Sequence, residues 1–194
     1  MKHEITRDDI LPMEQYGAER SHRRKALTAL KKNRRLEVGP FATFYFESFD
    51  TMLHQIHEML YIEKGGEEQI SGELEAYNPL IPKGRELVAT VMFEIDDPVR
   101  RANALARLGG VEETASISFG GQTVQGRPEE DADRTNAEGK ASSVQFIHFP
   151  FTEAQIDAFS ASGTQVIVGF GHPEYGHMTV MPEAVRTALS EDFK

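Results

Sequence analysis

Apolar positions along this chain recur at two spacings, and the switch between them predicts the elements. Phe49, Met52, Leu53, Ile56 and Leu60 return every three or four residues, which predicts a helix over 49–62 with one buried face. Leu87, Ala89, Val91, Phe93 and Ile95 alternate with Val88, Thr90, Met92 and Glu94, the period of a strand. The aromatic-rich run 41–47 predicts another strand, and shorter ones are expected at 115–119, 144–151, 165–170 and 178–180. Thr6-Arg7-Asp8-Asp9 has the form of a capping box, and a helix is expected behind it over 13–34, stopped by Gly39-Pro40. An acidic helix is expected over 67–76, followed by an ordered, non-helical turn at 77–82. Asp97-Pro98, Thr152-x-x-Gln155 and Pro182 each open a further helix.

The strands do not alternate one-for-one with helices. The expected class is therefore α+β, a mostly antiparallel sheet packed by helices, with a helical N-terminal half. A chain of 194 residues fits a single domain over 1–194. Residues 120–141, rich in glycine and charge, are expected to form a long flexible loop.

Composition narrows the chemistry. The chain has no cysteine, so disulfides, thiolate metal sites, iron–sulfur clusters and a thiol nucleophile are excluded. Without a signal-like start, this also gives a cytoplasmic expectation. No apolar run is long enough to cross a bilayer, so a membrane partner is not expected. The net charge of −10 is unevenly spread: residues 20–35 hold eight Lys/Arg and no acid, which leaves the remainder at −18. An acidic body repels nucleic acid and anionic lipid. No aromatic residue interleaves the basic run, so nucleic acid is not the expected partner. Arg23, Arg24, Lys31 and Lys32 instead suggest a docking surface for an acidic protein.

Several motifs fail on inspection. Gly121-x-x-x-x-Gly126-Arg127-Pro128 lacks the lysine and hydroxyl of a phosphate loop. Gly169-Phe170-Gly171 lacks the third glycine of a dinucleotide fingerprint. Asp131-x-Asp133-x-Thr135 lacks the glycine and glutamate of a calcium loop. Two clusters remain. His54, His57, Glu58 and Tyr61 share a helix face, and two imidazoles with a carboxylate suit a divalent metal such as iron, manganese or zinc. The plain alternative is a polar face that covers another element. His172-Pro173-Glu174-Tyr175-Gly176-His177 gathers two imidazoles, a carboxylate and a phenol, suited to metal binding or acid–base work, or equally to capping a tight turn.

The residues also carry a resemblance. Thr6–Asp9, the basic Lys31-Lys32-x-Arg34-Arg35 before Gly39-Pro40, and Gln55-x-x-Glu58-Met59 belong to it. So do the stretch from Glu73 through Tyr77-Asn78-Pro79 to Pro82, Ala89-Thr90-x-Met92-x-Glu94 and His172-Pro173-x-Tyr175. Nearly end to end, the chain resembles an uncharacterised bacterial family catalogued as domain of unknown function 3501. The resemblance implies no activity. Its gene neighbours imply a link to redox or metal homeostasis and a redox partner, a rubrerythrin-like protein or an iron–sulfur oxidoreductase. It directs interest to Gln55, Glu58, Glu63, Glu75, Tyr77, Asn78, His172 and Tyr175, and away from His54 and His57. Two functions are thus expected: a non-catalytic accessory or binding protein, or a metal-dependent enzyme or metal-binding protein using carboxylates and His54, His57, His172 or His177.

Overall fold

A computed structural model describes residues 2–129, 135–136 and 139–194. The fold is α+β. Its described elements are six α-helices and two sheets in which every strand pair is antiparallel.

The first sheet has five strands: β1 (Arg35–Val38), β2 (Ala42–Phe46), β3 (Glu86–Phe93), β7 (Val144–Pro150) and the short β6 (Arg127–Pro128), in that order. The second has four, ordered β5 (Gln122–Gln125), β4 (Ala115–Phe119), β8 (Val166–Phe170) and β9 (Met178–Val180). Strand side chains alternate between faces. Phe44, Phe46, Leu87, Val91, Ile147 and Phe149 therefore point one way and meet Ile117, Val168 and Phe170 of the second sheet in the larger core. A fully buried phenylalanine or leucine of this kind contributes about 1.5–3 kcal/mol.

The other face of the five-stranded sheet carries α2 (Phe49–Glu63), α3 (Glu67–Tyr77) and the N-terminal segment. Ile5, Ile10, Met52, Ile56, Leu60, Ile70, Leu80 and Val88 form a second core there. Ser48 starts α2 by accepting from the Thr51 N–H, while the Thr51 hydroxyl accepts from the Ser48 N–H. Lys64 ends the helix in a left-handed conformation. Outside α2 lies α1 (Met13–Lys31). The helices α4 (Pro98–Leu105), α5 (Glu153–Ser160) and α6 (Glu183–Ser190) complete the chain, and the Thr152-x-x-Gln155 box caps α5. Among the described residues, no helix is long and apolar enough to cross a membrane.

Three expectations need correction. The turn at 77–82, expected to be non-helical, holds the last residue of α3 and a single turn of 3-10 helix, Asn78–Leu80, which Pro79 allows within its first turn. The helix expected to reach Arg34 ends at Lys31, and the strand β1 follows. Arg34 is buried and donates to the Phe46 and Glu47 carbonyls and to the Asp192 carboxylate, 158 residues away. That anchor turns the chain out of the helix. Gly39-Pro40 is consequently a hairpin turn between β1 and β2, with Gly39 at φ +72° against the His177 ring. The stretch 120–141, expected as loop, contains β5 and β6. Alternation around Val124 and pairing with β4 and β7 make them strands. The remainder of that expected loop at 130–134 and 137–138, including Asp131 and Asp133 of the rejected calcium motif, lies outside the described residues.

Candidate functional site

The face of the five-stranded sheet turned to the helices is more polar than its opposite. Thr43, Tyr45 and Glu47 alternate with Ala42, Phe44 and Phe46. The register sets Tyr45 beside Thr90 and Thr90 beside Phe146; one step along, Met92 lies between Thr43 and Val144. Over these rows α2, the end of α3 and the end of α1 leave a cavity of about 280 Å³. Its polar lining is Glu47, Thr51, Thr90, Gln55, Tyr77 and Lys31, and its apolar lining includes Met52, Leu80, Met92 and Phe146.

Glu47 is the chemical centre of this cavity. It is 7% exposed. One carboxylate oxygen accepts from the Thr51 hydroxyl and the other from the Thr90 hydroxyl at 2.7 Å. Among the described residues no cationic side chain lies within ion-pair distance of it. Gln55 Nε2 reaches the Tyr77 hydroxyl at a long 3.5 Å, so both groups keep hydrogen-bonding capacity. The Tyr45 hydroxyl donates to Glu94, outside the cavity. Lys31 is exposed and has no ion-pair partner among the described residues.

The expected binding residues Gln55 and Tyr77 thus converge, together with Lys31 from the expected docking set. The others do not join them. Glu63 accepts from Gln69, and Glu75 is exposed on a different surface. Asn78 clamps the Ile5 backbone with both ends of its amide. Tyr175 is buried; its hydroxyl donates to the Val38 carbonyl and accepts from the Phe41 and Ala42 N–H groups, which locks the β1–β2 turn. Burial raises its pKa, and those two backbone donors oppose the rise. His177 packs edge-on against Tyr175, and His172 contacts the Gly109 carbonyl.

The helix face bearing His54, His57 and Glu58 is covered by α1. Tyr16, wholly buried, stacks on His57 at 4.8 Å and donates to Glu58 at 2.6 Å. Arg20 grips both Glu58 oxygens at 2.8 Å. The Arg20 guanidinium holds the Glu58 carboxyl down at about 2, with Tyr16 adding to the effect. His57 Nε2 accepts the Leu11 N–H at 3.0 Å, and burial pushes the imidazole down to about 4. Burial also lowers His54. These contacts do not suit a resident metal, because the Glu58 oxygens and the His57 nitrogen already hold protein donors. Among the described residues no group of three or more His, Asp or Glu side chains is arranged to hold a metal ion. Of the expected docking residues, Arg23 pairs with Glu19, whereas Arg24 and Lys32 are exposed.

Glu47, Thr51 and Thr90 escaped the sequence reading. Their signal was present in the Thr43/Tyr45/Glu47 alternation, a polar face on a strand followed directly by a helix cap.

The model of the family described as Protein of unknown function (DUF3501) matches residues 4–193. A solved crystal structure of a novel protein of unknown function from Burkholderia pseudomallei K96243 is similar, at 33% identity and a TM-score of 0.90. That match covers 98% of this chain and 99% of the other. No match is found among the curated proteins.

Proposed function

Because the chain belongs to the DUF3501 family, whose description assigns no activity, we propose a function from its own geometry: a non-catalytic protein that binds a small organic molecule over the five-stranded sheet. The observation that carries this reading is the cavity around Glu47, where a buried carboxylate, spare amide and phenol groups and apolar walls meet. A concave, mostly apolar site with a few convergent polar groups is the usual form of a ligand pocket. At about 280 Å³ it lies just below the common range for drug-sized ligands, which favours a compact molecule. Among the described residues the lining contains no histidine.

A thermal-shift panel of anionic, neutral and cationic small molecules tests this on the natural chain and on Met92→Trp. Met92 borders the cavity on a sheet face where a tryptophan is tolerated. A cavity ligand raises the melting temperature of the natural chain and not of the variant. A panel in which no compound makes that distinction refutes the reading.

The exposed Arg24 and Lys31 on α1, with Lys32 just after it, favour a second role: docking of an acidic partner, such as the redox protein the family resemblance implies. Association through this surface would weaken as salt rises from about 50 to about 300 mM, which shortens the screening length from roughly 14 to roughly 6 Å. Reversing Arg24 and Lys32 to Glu would abolish it; salt-independent association unchanged by the reversal would remove this role.

A further inference from the structure

Glu47 is expensive as a purely structural residue. A carboxylate removed from water is stabilised by opposite charge or by several donors. Here two threonine hydroxyls are its only side-chain donors among the described residues. The start of α2, two residues on, places the positive end of a helix dipole nearby and offsets part of the charge. Arg34 offers little more. Its guanidinium donates to the Glu47 backbone carbonyl, and its charge is committed to buried Asp192. Each carboxylate oxygen accepts one hydrogen bond from these hydroxyls and has room for another.

The surroundings suit a donor carrying positive charge. Aromatic side chains line the same space: Phe146 from β7, Tyr77 from the end of α3, and Tyr45 from β2 across β3, which already has the Arg35 guanidinium over its ring at 5.8 Å. Ring faces attract cations, most strongly where water is excluded. Met52 and Met92 supply adaptable apolar surface. The mouth has the opposite sign, since Lys31 stands there unpaired among the described residues. A ligand charged positively at both ends would be repelled at that rim, whereas a neutral or anionic far end would be accepted.

We infer that the cavity takes a compact organic monoamine, its ammonium seated on Glu47 between the Thr51 and Thr90 hydroxyls and its apolar or aromatic body lying along Phe146 and the methionines. This rests on the small-molecule reading above and narrows it to one ligand class.

Three probes of nearly equal size isolate the charge: phenethylamine, 2-phenylethanol and hydrocinnamate. Calorimetric titration of the natural chain should give phenethylamine the tightest binding, with the alcohol and the carboxylate at least about tenfold weaker, the discrimination expected of a site with an otherwise unpaired polar group. Glu47→Gln keeps one acceptor and the side-chain shape, and should remove the preference for the amine. The comparison of probes on the natural chain stands even where that variant folds poorly. Equal or tighter binding of the alcohol or the carboxylate, still blocked by Met92→Trp, overturns the amine class and leaves the cavity reading intact. Amine binding that Met92→Trp does not reduce overturns both, because the amine then sits elsewhere. Failure of all three probes to bind overturns the amine class, and the broader panel then decides the cavity.

Discussion

Replacing His57 with Gln should flatten the dependence of stability on pH between about 4 and 6.5. In the fold the imidazole lies under the Tyr16 ring and accepts the Leu11 N–H through Nε2, and burial holds its pKa at about 4 against 6.5 for a free histidine. Within that window the unfolded chain binds a proton at this position and the folded chain does not. Stability therefore falls as pH drops from about 6.5, and the loss levels off near 4. A drop from 6.5 to about 4, at about 1.36 kcal/mol per pH unit, caps the effect at roughly 3 kcal/mol. The cavity beside α1 also borders His57, and water reaching it trims the figure to about 1–2 kcal/mol. Glutamine can still accept the Leu11 N–H but does not titrate. Urea denaturation of both proteins at half-unit steps from pH 4 to 7.5 measures the difference. Glu58 loses its Arg20-bound stabilisation only as pH falls from 4.5 toward about 2, and it is present in both proteins, so subtraction leaves His57 alone. Parallel stability curves over pH 4–6.5 would refute the argument that this imidazole is buried neutral.

Three further outcomes are expected from denaturation of single variants. Tyr175→Phe removes the hydroxyl shared by Val38, Phe41 and Ala42 and should destabilise by about 1–3 kcal/mol; a change below the error of measurement would show that water replaces it. Arg34→Met leaves Asp192 buried without its cation and should cost about 3–5 kcal/mol near neutral pH. Burial already raises the Asp192 pKa, so the deficit should narrow on acidification as that carboxyl takes a proton. Lys64→Gly relieves a non-glycine residue at φ 57° on the exposed end of α2 and should stabilise by about 0.5–1 kcal/mol, read as a higher urea midpoint.

Where the sequence was legible, the information was local. The α2 stripe, the β3 alternation and the Thr152 cap each depend on residues within one turn or a few strand positions, and each element appears where its period puts it. Where it was not legible, the deciding partner is distant. Nothing near Arg34 says that Asp192 will hold it, so the basic helix was expected to run on to Arg34, up to the edge of strand β1. Gly39-Pro40 looks the same whether it ends a helix or turns a hairpin; the buried Tyr175 hydroxyl decides between the two. The pairing that makes β5 and β6 strands likewise comes from β4 and β7.

The same division explains which site residues were found. Gln55 and Tyr77 stood out because they sit in a distinctive stretch of residues, yet their meeting depends on how α2 and α3 pack on the sheet. The histidines of α2 stood out because imidazoles suggest chemistry, but α1 covers them and its tyrosine and arginine use their neighbour's oxygens. Glu47 drew no attention, being a single acid at the end of an aromatic strand. Its importance comes from position: it ends the strand between two cores and begins the turn into α2, so the sheet face, the helix cap and the cavity all meet at one carboxylate. A residue so placed can be kept for structure alone, since it ties Thr51 of α2 to Thr90 of β3. A neutral glutamine would make a similar tie without burying charge, and two hydroxyl donors compensate a carboxylate poorly. The charge is therefore the feature that structure alone does not require, and the exchange Glu47→Gln separates the tie, which it keeps in part, from the charge, which it removes.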